Sequence, residues 1–381
     1  MQAIFAVTVP FFALVLLGYL AAQRRVLPES AIPGLNAFVL FFALPCMLFR
    51  FGASRPFAQL IDPVLIGIYG VCALLMVLFS IALTLQRGSA DSGVPLKDAA
   101  FGALVATFPN AGFMGVPLLV GLLGERAAGP LIGAILLDLV VTSSLCLALA
   151  QLDNGRAGRA GRAGRAGRAA NRLEQEREPA REVAQETAPK NAQELAQQPA
   201  QQSARQPARQ PHDSVFIAFG GALRGAVSNP LPWAIGLGAV VAASGLVLPE
   251  PLAQVIKMLG DAATPVALFT IGAVLWRAGQ HAHTATPVAR YLPLALVKLL
   301  VHPLLVLSAG IIAQALGLQV SRFGLMVLVL TAALPSASNV SILAERYGAD
   351  NGRVARIIMA STVLAFGTFS VLAWAMGAGI S

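Results

Sequence analysis

The stretch Phe108-Pro109-Asn110-Ala111-Gly112-Phe113-Met114-Gly115-Val116-Pro117 lies inside an apolar run, and Leu334-Pro335-Ser336-Ala337-Ser338-Asn339 repeats its character far along the chain. Proline lacks a backbone N–H and clashes with the preceding turn, so a helix containing it opens near the break. In lipid, opened backbone is tolerated only where it is buried in protein or lines a wet cavity. Two such breaks at corresponding places of two halves point to a substrate site near the bilayer midplane. Pro109, Pro335, Gly112 and Pro117 are therefore expected to shape two interrupted helices of a secondary transporter.

Composition agrees. The chain is 56% hydrophobic and only 12% charged, against roughly 25% charged in an ordinary soluble domain. The fold class expected is all-α and polytopic. Ten spans are read near 3–22, 33–51, 63–86, 99–123, 130–151, 229–248, 252–276, 290–316, 322–345 and 353–377, each long enough for a hydrocarbon core of about 30 Å. The first span has no basic n-region or cleavage site and reads as a retained helix rather than a signal peptide. Although the net charge is +9, the charges are placed for topology rather than for nucleic acid. With the N-terminus outside, 21 of the Lys and Arg residues fall on the cytoplasmic side, 5 on the other, and Lys298 lies within a span. The positive-inside rule then puts both termini on the non-cytoplasmic side of the cytoplasmic membrane. Cys46, Cys72 and Cys146 all lie in apolar spans without metal-ligand spacing, so no disulfide framework, metal or cofactor is expected.

Between the fifth and sixth spans the composition changes. Residues 152–213 carry a Gly-Arg-Ala repeat with Arg156, Arg159, Arg162, Arg165 and Arg168, then Gln, Pro, Ala and Glu without an aromatic. Such a segment cannot bury enough apolar area to offset its ordering entropy, and a disordered cytoplasmic linker is expected. It divides the chain into 1–151 and 214–381, five spans each. Pro45-Cys46-Met47-Leu48-Phe49 in the second span is echoed by Pro265-Val266-Ala267-Leu268-Phe269 in the seventh. From these to the next break is 64 residues in one half and 70 in the other. An odd number of spans per half makes the repeat inverted, as in alternating-access transporters.

Four sets of residues resemble the auxin efflux carrier family: Asn36-Ala37-Phe38-Val39 with Ala43-Leu44-Pro45; Pro109-Asn110 with Met114-Gly115-Val116-Pro117; Gly260-Asp261-Ala262; and Ala333-Leu334-Pro335 with Ala344-Glu345-Arg346-Tyr347. The resemblance covers nearly all the spans. It implies a small organic acid such as malate or malonate as substrate, and spans 4 and 9 crossing at Pro109 and Pro335. It also implies a dimerising scaffold of spans 1, 2, 6 and 7, carrying Pro45, Asp261 and Pro265, with an elevator-like transport domain of spans 3–5 and 8–10. The charged pair that plant members carry in the third span is missing from 63–86, so no proton role is carried over there.

Asn110 and Asn339 follow the breaks. An amide can donate to a carboxylate without burying a counter-charge, while half-helix N-termini add partial positive charge; each asparagine can equally satisfy carbonyls freed by its proline. Ser336 and Ser338 offer similar donors, though serine commonly bonds back to its own helix. Asp138 and Lys298 are intramembrane ionisable residues, which are expensive and functional by default. Two readings stay open: Asp138 carries a coupling proton with Lys298 as substrate counter-charge, or the two form a structural ion pair. Asp261 is expected to cap a helix after a break in the seventh span.

An enzyme is not expected: Met258-Leu259-Gly260-Asp261 lacks the first glycine of an intramembrane aspartyl-protease motif and no His-Glu-x-x-His occurs. The competing class is a sodium- or proton-coupled cation antiporter, or a bile-acid-type symporter, of related inverted-repeat fold. Such sites usually set carboxylates beside the breaks. Neither break here contains an acid, which favours an anion.

Overall fold

A computed structural model describes residues 2–54, 62–86, 94–152, 230–280 and 286–378. The expected linker lies outside these residues apart from Leu152. In chain order the helices are α1 (Gln2–Gln23), α2 (Glu29–Ala53), α3 (Pro63–Gln86), α4 (Leu96–Thr107), α5 (Ala111–Leu123), α6 (Glu125–Leu152), α7 (Pro230–Ser244), α8 (Glu250–Gln280), α9 (Val288–Ala315), α10 (Arg322–Ala332), α11 (Asn339–Tyr347) and α12 (Asn351–Ala375). Seven of them, α1, α2, α3, α6, α8, α9 and α12, are long and apolar enough to cross a membrane. The other three expected spans are helical but shorter: α7 by itself, α4 with α5, and α10 with α11. Among the described residues the only strand-like pairing is an isolated antiparallel bridge between Pro109 and Ser336.

Prolines shape the helices in two grades. Pro45, Pro117 and Pro303 each follow a wider π turn, at Val39–Ala43, Ala111–Gly115 and Val297–Val301. A proline orphans the carbonyl four residues before it, and widening the turn absorbs the mismatch without ending the helix. Pro265 does less still. It lies inside α8, which runs unbroken from Glu250 to Gln280, so the break expected in the seventh span does not form. Asp261 accordingly caps nothing; it is exposed within α8 and pairs with Arg50 at 2.6 Å and Lys257 at 2.9 Å. Among the described residues, only at Pro109 and Pro335 does an apolar span leave the helix part-way.

Helices α1, α2, α7 and α8 pack pairwise, α1 on α8 and α2 on α7, with α8 also against α2. Both crossings use the same device. A Cβ at Gly18 of α1 would strike the Phe269 carbonyl of α8, and one at Gly272 would strike that of Val15. Likewise a Cβ at Gly52 of α2 would strike the Ile235 carbonyl of α7, and one at Gly238 that of Phe49. In each crossing a glycine faces the carbonyl three residues before its partner glycine, the close backbone approach that small residues permit in membranes.

Helices α3, α4, α9 and α10 pack together with α6 and α12. Along α3 the residues Leu65, Tyr69, Cys72, Met76 and Thr84 are buried, one helical face, while Val71, Leu74, Leu75 and Leu78 are exposed. Every residue from Ala99 to Thr107 of α4 is buried, so that helix runs through the interior.

Candidate binding site at the paired helix breaks

After Thr107 and after Ala332 the chain leaves the helix, and the two openings lie against each other at the Pro109–Ser336 bridge. The Asn110 amide donates to the Pro335 carbonyl at 2.8 Å, and the Ala337 amide donates to the Phe108 carbonyl at 3.1 Å. Each break thereby satisfies backbone freed by the other, which meets the demand of a lipid environment for internally paired backbone. A further amide of the second break, Ser336 N–H, donates to Ser361 Oγ of α12 at 3.1 Å.

Beyond the breaks two helices begin. The Asn110 carbonyl accepts from the amides of Met114 and Gly115, so those of Ala111, Gly112 and Phe113 at the start of α5 have no intrahelical acceptor. Asn339 opens α11. Both N-termini border one cavity of about 40 Å³, lined by Pro109, Asn110, Gly112, Asp138 and Asn339, with Leu40 of α2 and Leu231 of α7 also in its wall. At roughly 10–15 Å³ per water, such a volume has room for about three waters. No lysine or arginine is among its described lining residues.

The structure thus brings together Asn110, Asn339, Pro109, Gly112 and Asp138. Asn110 is buried and its side chain makes no hydrogen bond among the described residues. Asn339 Oδ1 is likewise buried without a partner. Ser336 and Ser338 are buried beside the break but do not line the cavity. Pro335 contributes its carbonyl to the pairing. Pro117 lies away from the cavity, lining a separate pocket of about 560 Å³ with Arg50, Glu125 and Asp261. A third pocket, of about 320 Å³, opens between Asn36, Arg277, Ser341 and Glu345, and Leu40 lines both it and the central cavity.

Asp138 sits in a π turn of α6, Asp138–Thr142. Its carboxylate accepts from Tyr69 Oη at 2.8 Å and from Thr142 Oγ1 at 2.9 Å. Lys298 is fully buried in α9, donates to the Ala332 carbonyl at 2.9 Å and lies 3.1 Å from His302 Nδ1. No direct ion pair joins Asp138 to Lys298 among the described residues; each has its own partners. Thr142 follows Asp138 by one helical turn and could have been read from the spacing. Tyr69, Ser361, Leu40 and Leu231 come from other helices, and no spacing in the chain signals them.

Paired helix breaks, facing helix N-termini and apolar helices long enough to span define a membrane transport protein. The chain matches the membrane transport protein family over residues 3–374 and belongs to it, the auxin efflux carrier family. It is 26% identical over 383 residues to a Rhizobium meliloti (strain 1021) protein named "Putative malonate transporter", covering 100% of this chain and 98% of that one. It is also 24% identical over 349 residues to auxin efflux carrier component 8 of Arabidopsis thaliana, covering 89% and 88% of the two chains.

Proposed function

We propose that this protein is a secondary active transporter of small mono- or dicarboxylate anions across the cytoplasmic membrane. The observation that carries the reading is the cavity itself: two helix N-termini and the side chains of Asn110 and Asn339 converge on it, with Asn339 Oδ1 buried without a partner among the described residues. Helix N-termini bind carboxylates through free amides and partial positive charge, and asparagine adds donors. The relative named for malonate transport, aligned over the whole chain, supports a short organic acid.

Asp138 is the one acid among the described residues lining the cavity, and an ionised carboxylate there would repel an anionic ligand. We read it as the carrier of a coupling proton, taken up with the substrate. One proton cancels one ligand charge and removes about 2.3 kcal/mol per 100 mV of opposing potential. A cation-exchange reading draws on the same residue. It is weaker, because both Asp138 oxygens already accept from hydroxyls and the cavity offers no second carboxylate among its described residues.

The mechanism we favour is elevator-type alternating access within two inverted five-span repeats. The matching glycine crossings of α1 with α8 and α2 with α7 support a symmetric, rigid scaffold, through which we propose the protein dimerises. The pairing of the breaks supports crossing fourth and ninth spans in a moving unit of α3–α6 and α9–α12. Counterflow of labelled malonate in proteoliposomes, against a panel of mono- and dicarboxylates with and without a proton or sodium gradient, tests it. Exchange by short carboxylates is expected; sodium-dependent cation flux without carboxylate exchange would refute it.

A further inference from the structure

In an unbroken helix the Ser336 amide would donate to the Ala332 carbonyl, four residues back. Here that amide goes to Ser361 Oγ instead, and the Ala332 carbonyl takes the Lys298 ammonium at 2.9 Å. The exchange is complete: one serine hydroxyl from α12 replaces the acceptor, and one ammonium from α9 replaces the donor. Lysine also suits the place electrically, because the last carbonyls of α10 form the negative end of a helix dipole.

His302 completes the arrangement. An ammonium only donates, so His302 Nδ1 at 3.1 Å accepts and the ring proton sits on Nε2. That nitrogen is buried with no hydrogen-bond partner among the described residues, while the ring lies 5.8 Å from the ring of Tyr69. An unpartnered donor in the interior is costly, and the Nδ1 contact with Lys298 is the hydrogen bond that offsets it.

We infer that Lys298, oriented by His302, and Ser361 are positioning residues that hold the second helix break open and so place Asn339 at the cavity. Lys298 is then not a substrate counter-charge, and its direct contacts are the Ala332 carbonyl and His302 rather than Asp138. It acts through backbone, and the break is built by three helices rather than by Pro335 alone. The consequence for binding rests on the proposed site; the consequence for the break does not.

Hydrogen–deuterium exchange of the ligand-free protein in nanodiscs reads the break directly. In Lys298→Met, amides in 333–341 are expected to exchange about tenfold faster or more, with α1 and α8 unaffected, as for loss of a local restraint. Unchanged exchange at 333–341, or equal acceleration everywhere, would overturn the assignment. Should that variant fail to insert, Ser361→Ala removes only a hydroxyl and is expected to give the same local acceleration; its absence is equally decisive. Malonate binding then follows in Lys298→Met, Asn339→Ala and the double variant. If Lys298 acts through Asn339, the double loss falls at least about threefold short of the product of the single losses, since coupled residues are not additive. Full additivity refutes that route. Normal binding in Asn339→Ala together with local acceleration in Lys298→Met would refute the substrate site and leave the break assignment standing.

Discussion

Replacing the two asparagines tests the site with little collateral damage, for a reason visible in the structure. Asn110 holds the fold through its backbone: its amide donates to Pro335 and its carbonyl accepts from Met114 and Gly115. Alanine keeps all three bonds. Asn339 Oδ1 has no partner to lose. The effect of Asn110→Ala or Asn339→Ala therefore falls on the ligand. A hydrogen bond to a charged group contributes about 1.5–3 kcal/mol, so each variant should weaken carboxylate binding about 10- to 150-fold at 1.4 kcal/mol per tenfold. Asn339→Asp is nearly isosteric but adds a second acid to the cavity beside Asp138. It should cost more than alanine at neutral pH and less as the pH falls and acids protonate. Calorimetric titration with malonate, with thermal melting and gel filtration as folding controls, measures this. Affinity within about twofold of the unmodified protein in both alanine variants would refute the site.

Asp138→Asn mimics the protonated acid, so malonate-for-malonate counterflow should survive while proton-gradient-driven accumulation disappears; accumulation at the unmodified level would end the proton-carrier reading. Gly18→Ala and Gly272→Ala drive a methyl into a facing carbonyl and should lower stability by about 1–3 kcal/mol or more, as overpacking does, whereas Gly236→Ala meets open space and should be neutral or stabilising; melting in detergent separates them. Replacing 153–210 by a short flexible linker should preserve transport, because the composition of that segment is unsuited to forming a core, and loss of activity in a correctly inserted variant would assign the segment a role.

Membrane insertion, the approximate bounds of the helices and the importance of Pro109 and Pro335 were legible in the chain. Those features follow from local physics. A lipid core demands long apolar runs, and proline removes a donor wherever it stands. Local physics also overreached at Pro265, where α8 continues through the proline. Whether a proline ends a helix depends on whether other backbone is at hand to take the freed groups. At Pro109 and Pro335 each break serves the other.

The partners of the ionisable residues were of the other kind. Asp138 and Lys298 stood out as intramembrane charges, and pairing them was reasonable from sequence because opposite charges attract in a poor dielectric. Folding gave Asp138 two hydroxyls and Lys298 a carbonyl and an imidazole. The chain by itself determined that helices would open at two prolines, that two asparagines would lie near the openings and that one acid would lie within a span. Only the tertiary structure decided that the openings pair, that Asn110, Asn339 and Asp138 face one cavity, and that Lys298 serves the broken backbone. Hydrogen bonds are short and directional, so which donor meets which acceptor is settled by the packing of helices far apart in sequence.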